Sequence, residues 1–282
     1  MKLTKTKRNR IIKTAAIWTV LAFVALFIIF PIAWMTVTSF KTDSETYSIP
    51  AQWIPPHPTL ENYIWIADDS LFPRYFLNSF IVAISTTLLT LPICTLTAYS
   101  FSRLPIRGRR SFLRMIVMTQ MLPDVLLLVS LYIIVFHLGL IDNLLSLVLT
   151  YVTFNFPFCT LMMKSYFDGI PTHLEESAMV DGCGRLGALR RISLPLVAPG
   201  LAATAILAFV QGWNEFLFAL TFLNSPWNLT VTVGIRFMAA EQHFYWNRMM
   251  AGSLLMALPV AVLFMFLQKH IVRGLSAGAV KG

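Results

Sequence analysis

Charge is scarce in this chain. Only 12% of its 282 residues are Asp, Glu, Lys or Arg, against 57% hydrophobic, and mean hydropathy is +0.69. That leaves too little polar surface to cover a water-soluble globule, so lipid is the expected solvent. Cysteine is as rare: Cys94, Cys159 and Cys183 show no CxxC spacing, which speaks against a disulfide framework or a zinc site and for small apolar fillers. No HExxH string occurs, and neither a metal site nor a catalytic nucleophile with its base is expected. GxxxxGK[ST] is also missing, which excludes ATP binding by a phosphate loop. A formal net charge of +9 does not point to nucleic acid, because the basic residues sit in short connections between apolar runs and not among stacking aromatics.

What the sequence does have is long uncharged runs. Nothing between Lys13 and Lys41 is charged, and residues 15–34 suffice to cross roughly 30 Å of hydrocarbon. A cleaved leader would have an apolar core about half as long, so this run is expected to be a span. Further spans are expected over residues 74–103, 115–136, 144–163, 196–220 and 249–268. The chain therefore reads as an all-α integral membrane protein of about six transmembrane helices, one domain over 1–282, with an N-terminal span over about 15–36.

Orientation follows from Lys and Arg. Eighteen of the 22 fall on one side: the N-terminus, the connection after span two (Arg103 to Arg114), the connection after span four (Lys164 to Arg191) and the C-terminal end. Lys41, Arg74, Arg236 and Arg248 fall on the other, among Asp43, Glu45, Glu61, Asp68 and Asp69. The split predicts a multi-pass protein of the cytoplasmic membrane with both termini in the cytoplasm, as an even span number also requires.

The connection between spans four and five, about 166–195, is longer than a helical turn needs. Pro171 breaks the preceding helix, Thr172 is placed to cap a new one, and Glu175 and Glu176 stand in its first turn. A short helix is expected from Pro171 to Asp181, with Leu174, Ala178 and Met179 on one face. Gly182 stops it, and a second amphipathic helix follows from Arg185 to Ile192. Acids so close to an anionic leaflet favour a protein partner over a lipid surface.

Glu176, Ser177 and Ala178, three residues, Gly182, nine residues, then Ile192, Ser193, Leu194 and Pro195 resemble the EAA signature of permease subunits in binding-protein-dependent ABC importers. Ser177 stands where a second Ala is usual; a small residue is kept. NSFIVA at 78–83, AYSFSRL at 98–104, LPLVAPG at 194–200, WNEFLFAL at 213–220 and the tail from Val272 resemble the carbohydrate branch, in its MalG-like subunit. The resemblance implies a type I importer transmembrane domain with its core at about 75–270. It implies a coupling helix in the hairpin, with Leu174, Glu175, Glu176, Ser177, Ala178, Asp181 and Gly182 facing an ATPase. Implied partners are two ATP-binding subunits that hold ATP and Mg, a second homologous permease, an extracytoplasmic solute-binding protein, membrane lipid and a carbohydrate substrate. The chain itself is expected to bind no cofactor, and its tail from Gly274 is implied to reach toward the ATPases.

Polar groups at membrane depth are the candidates for the substrate route, since a carboxylate facing lipid would cost about 3 kcal/mol. They are Gln120, Asp124, Asn155, Gln211, Trp213, Asn214 and Glu215. Any of them could equally tie helices together. The rival classes are an ion-coupled secondary transporter, which leaves the hairpin without a purpose, and an intramembrane enzyme.

Overall fold

The computed structural model describes residues 5–238 and 244–279, with side chains over 13–68, 70–238 and 244–265. Its main elements are α1 (Lys5–Ser39), α2 (Phe72–Arg103), α3 (Arg109–Thr119), α4 (Asp124–His137) and α5 (Leu144–Asp168). They continue with α6 (His173–Val180), α7 (Arg185–Ala188), α8 (Ala198–Asn214), α9 (Leu217–Phe222) and α10 (Trp246–Ala279). No β-strand occurs among the described residues. Parts of α1, α2, α5 and α10 are each long and apolar enough to span a membrane; counting two bent helix pairs as spans brings the total to six.

Two breaks correct the expected spans. Residues 115–136 are not one helix: α3 and α4 meet at 95° across a short break. Pro123 lacks an amide hydrogen, takes an extended conformation (ψ 129°) and disfavours helix at the residue before it. The span expected over 196–220 is likewise interrupted. The 17 residues of α8 rise only about 25 Å; Glu215 is extended (φ −67°, ψ 136°), and α9 begins two residues later.

The chain divides into two compact units. In the unit formed by residues 1–70 and 237–255, α1 shows its apolar side chains outward, Phe23 at 70% and Phe27 at 75% exposure. The loop after it is held by a buried polar knot. The Asn62 amide donates to the carbonyls of Ser39 and Lys41 (2.9 Å each), and the Asn247 amide donates to Asn62 Oδ1 (2.9 Å). Lys41, 2% exposed, donates to the Gln52 carbonyl and lies over the Trp34 ring.

The second unit comprises residues 71–236 and 256–282, and its frame is α2, α5 and α8. These pack through small residues, Ala98, Cys94, Cys159 and Ala208, all fully buried, as helices do where lipid offers no hydrophobic drive between them. Cys94 and Cys159 thus have the expected role; Cys183 is half-buried. Ser102 near the C-terminal end of α2 donates to Asp168 at the C-terminal end of α5 (2.7 Å). Those ends lie together, as spans two and four of the same direction require. At the opposite end, Asn78 donates to the carbonyls of Trp227 and Leu229 (2.9 Å each). There Asp142, at φ 59°, accepts the amides of Asn224 and Ser225 (2.9 Å each). Burial works against its charge, but these bonds hold the Asp142 carboxyl below the usual range.

The tail expected to reach a partner, from Gly274 on, lies outside the residues with described side chains. A GxSxG string does occur there, at Gly274, Ser276 and Gly278. Its backbone is helical through Ala279, not the strand-to-helix elbow that such a nucleophile needs.

Candidate functional site

Residues at the break between α3 and α4 and at the break between α8 and α9 line the same space, together with α5. Between them lies a cavity of about 880 Å³ lined by residues of α3, α4, α5, α8 and α9. Six of the seven polar residues singled out by sequence line it: Gln120, Asp124, Asn155, Gln211, Asn214 and Glu215. Tyr151, Phe154 and Phe158 join them at i, i+3 and i+7 on α5. That helical period was a legible signal.

The two carboxylates differ. Glu215 is satisfied by protein, accepting the Tyr151 hydroxyl and the backbone amides of Phe218 (2.9 Å) and Ala219 (3.1 Å). Its carboxylate thus satisfies two first-turn amides of α9. Asp124 is exposed in the first turn of α4, where the helix dipole favours a carboxylate. Asn155, 1% exposed, has a buried side-chain oxygen with no hydrogen-bond partner, and it lines the same cavity. A buried polar atom left open in this way is an unspent binding capacity.

Trp213, expected on the route, lies elsewhere. It does not line the cavity; it is 1% exposed, stacked on Phe209 (5.6 Å, 15°) and edge-on to Phe76 and Phe80. Its indole donates to the Met256 carbonyl (3.0 Å). One step along α8 separates Asn214 from Trp213, and 100° of helix rotation turns one to the cavity and the other into the core.

The hairpin folds as the sequence suggests, with changes of detail. The turn after α6 has Gly182 at φ +85°; Cys183 N–H donates to the Ala178 carbonyl (3.0 Å) and Gly182 N–H to Met179 (3.1 Å). This paired closure needs a left-handed residue at position 182. Thr172 does not cap α6 with its side chain, because it is itself helical; its carbonyl takes the amides of Glu175 and Glu176. The second helix continues past α7 as a π-turn over Leu189–Ser193.

Glu176, Ser177, Asp181 and Gly182 are exposed, Leu174 is 39% exposed, and Ala178 and Met179 are half-buried. Ser177 donates back to the His173 carbonyl (2.9 Å) and so presents a compact surface. The apolar groups that stand out are Val180 at 87% and Leu186 at 75%, either side of the turn. Glu175 faces inward, 3% exposed. It accepts Arg103 Nε (2.8 Å), Ser193 Oγ (2.5 Å) and Tyr99 Oη (2.9 Å). Burial penalises its charge, yet hydrogen bonds from Ser193, Arg103 and Tyr99 hold its carboxyl below the ordinary value.

Over residues 64–277 the sequence matches the family described as binding-protein-dependent transport system inner membrane component. It is 41% identical over 254 residues to the sulfoquinovosyl glycerol transport system permease protein SmoH of Agrobacterium fabrum, covering 90% of this chain and 89% of that protein. To the trehalose/maltose transport system permease protein MalG of Thermococcus litoralis it is 37% identical over 261 residues, 92% of this chain and 93% of that one. In fold it is similar to a chain of a bacterial ABC transporter involved in the import of the acidic polysaccharide alginate. There the TM-score is 0.79 at 21% identity, over 95% of this chain and 99% of that one.

Proposed function

This chain belongs to the family of binding-protein-dependent transport system inner membrane components, and from that premise we propose that it is a permease subunit of an ATP-driven carbohydrate importer. The observation that carries the reading is the exposed hairpin. Val180 and Leu186 stand in solvent beside Glu176 and Asp181, a surface with apolar anchors and a carboxylate for a basic partner. Its occupant is an ATP-binding subunit, one of two that hold ATP and Mg, because this chain has no phosphate loop. A second homologous permease completes the route, and an extracytoplasmic binding protein delivers the solute.

The cavity walled by Gln120, Asp124, Asn155, Gln211, Asn214 and Glu215 is this subunit's share of the substrate route. Amides both donate to and accept from sugar hydroxyls, and Tyr151, Phe154 and Phe158 offer apolar ring faces. Movement of the hairpin by the ATPases opens this space to alternate sides of the membrane. With both termini cytoplasmic, the hairpin faces the ATP supply.

The experiment is reconstitution of the complete complex in liposomes. Uptake is expected to require ATP inside and to ignore an imposed ion gradient; gradient-driven uptake without ATP would establish a secondary transporter instead. Val180→Asp combined with Leu186→Asp is expected to lower uptake at least tenfold with membrane insertion unchanged, since each buried anchor contributes about 2 kcal/mol. A cysteine at position 180 should crosslink to the ATP-binding subunit in the active complex.

Charge sets a further expectation. The cavity wall carries Asp124 and Glu215 but no Lys, Arg or His among its described residues. A sugar carboxylate about 4 Å from Asp124 would be repelled by 1 to 4 kcal/mol. An uncharged oligosaccharide should therefore be imported, and a uronate-containing one of equal size should compete at least about fivefold less well. Equal competition by the two, measured in the liposomes, would remove the cavity from the selectivity step.

A further inference from the structure

Two adjacent carboxylates on α6 face opposite ways. Glu176 is exposed, while Glu175 lies 3% exposed beneath the helix. Its Oε1 accepts Arg103 Nε at 2.8 Å and Ser193 Oγ at 2.5 Å, and its Oε2 accepts Tyr99 Oη at 2.9 Å. Tyr99 and Arg103 are one turn apart at the end of α2. Ser193, fully buried, belongs to the π-turn that leads into α8. Arg103 is itself held, donating to the Ile170 carbonyl at 3.0 Å just before α6, and its side chain is only 8% exposed. One carboxylate thus joins three segments that are far apart in sequence.

A hydrophobic seat lets a short helix roll; this one does not. Rolling α6 by a single residue is a rotation of 100°, which would carry the Glu175 oxygens away from all three donors and strand a buried guanidinium without its partner. We propose that Glu175 is a positioning residue that locks α6 to the end of α2 and the foot of α8, so that a push on the hairpin turns those helices instead of rolling α6 in place. The inference rests on the reading that ATP-binding subunits act on this hairpin. Under it the two acids divide the work: Glu176 meets the motor, and Glu175 passes the displacement inward.

The test is uptake per ATP hydrolysed in the reconstituted complex. Tyr99→Phe combined with Ser193→Ala keeps the Arg103 pair and the ring, so assembly is preserved, while two of the three donors are gone. ATP hydrolysis should continue and uptake per ATP should fall several-fold. Glu175→Gln should lower the same ratio at least about tenfold, because hydrogen bonds to a buried charge are the strong ones. A residue that merely stabilised the fold would reduce the amount of complex and leave the ratio of the surviving complex unchanged. An unchanged ratio in the Tyr99→Phe, Ser193→Ala complex overturns the proposal, whether or not the Glu175→Gln complex assembles. A wild-type complex with no ATP-driven uptake would reject the transport reading itself.

Discussion

Gly182→Val is expected to abolish ATP-driven uptake while the protein still reaches the membrane at its normal level. Space is not the obstacle, for an added Cβ at position 182 meets nothing within 4 Å. The backbone is the obstacle: φ is +85°, and a β-branched residue held in that region costs of order 1–3 kcal/mol. The turn would relax to negative φ, losing the bonds that Cys183 and Gly182 make to Ala178 and Met179. Val180 and Leu186, placed on either side of this turn, would no longer form one surface. Gly182→Asn separates the two explanations, because asparagine tolerates the left-handed region; it should retain much of the uptake that valine loses. Near-normal uptake by the valine variant would show that the geometry of this turn does not matter to the docking surface.

Gly200→Ala is expected to act on the fold itself and to lower the yield and melting temperature of purified protein. Gly200 lies in the first turn of α8, and a Cβ there would stand 2.3 Å from Tyr166 Cγ and 2.4 Å from its Cδ2. Cγ is the ring atom closest to the backbone, so the ring cannot swing clear without leaving its rotamer. Two effects compete. Alanine gains up to about 1 kcal/mol of helix propensity over glycine, whereas forced overpacking costs about 1–3 kcal/mol or more, and an overlap of this depth puts the balance on the destabilising side. Gly212→Ala is the control: its Cβ would meet Ala83 Cα at 3.4 Å, nearly ordinary contact, so propensity should offset the strain there. Tyr166→Ala should rescue Gly200→Ala in thermal unfolding. A Gly200→Ala protein as stable as wild type would mean that α8 and α5 can part by about an ångström at no cost.

Some of the site was open to sequence reasoning because its signals are local. Polar side chains in an apolar run mark themselves, and six of them do meet in one cavity. Trp213 and Asn214 show the boundary of that reasoning. Both are polar-capable, adjacent and near a span end, and only the position of Phe76, Phe80 and Phe209 decides that the indole is core and the amide is not. Glu175 and Glu176 repeat the lesson. Composition favours both equally as partner-facing acids; the donors on Tyr99, Arg103 and Ser193 are 76, 72 and 18 residues away from Glu175. Val180 is the opposite case, since an apolar residue next to a turn looks like ordinary helix packing until its 87% exposure is known.

The sequence alone determined that the chain lives in lipid, roughly where it crosses, and that a helical hairpin ending at Gly182 separates two of the crossings. Those are consequences of hydropathy, helical period and backbone sterics, which act over a few residues at a time. Tertiary structure decided that the break at Pro123 and the break at Glu215 line one cavity, and the inward fate of Glu175. These depend on which groups meet across the bundle, and contacts between residues distant along the chain exist only once the helices have packed.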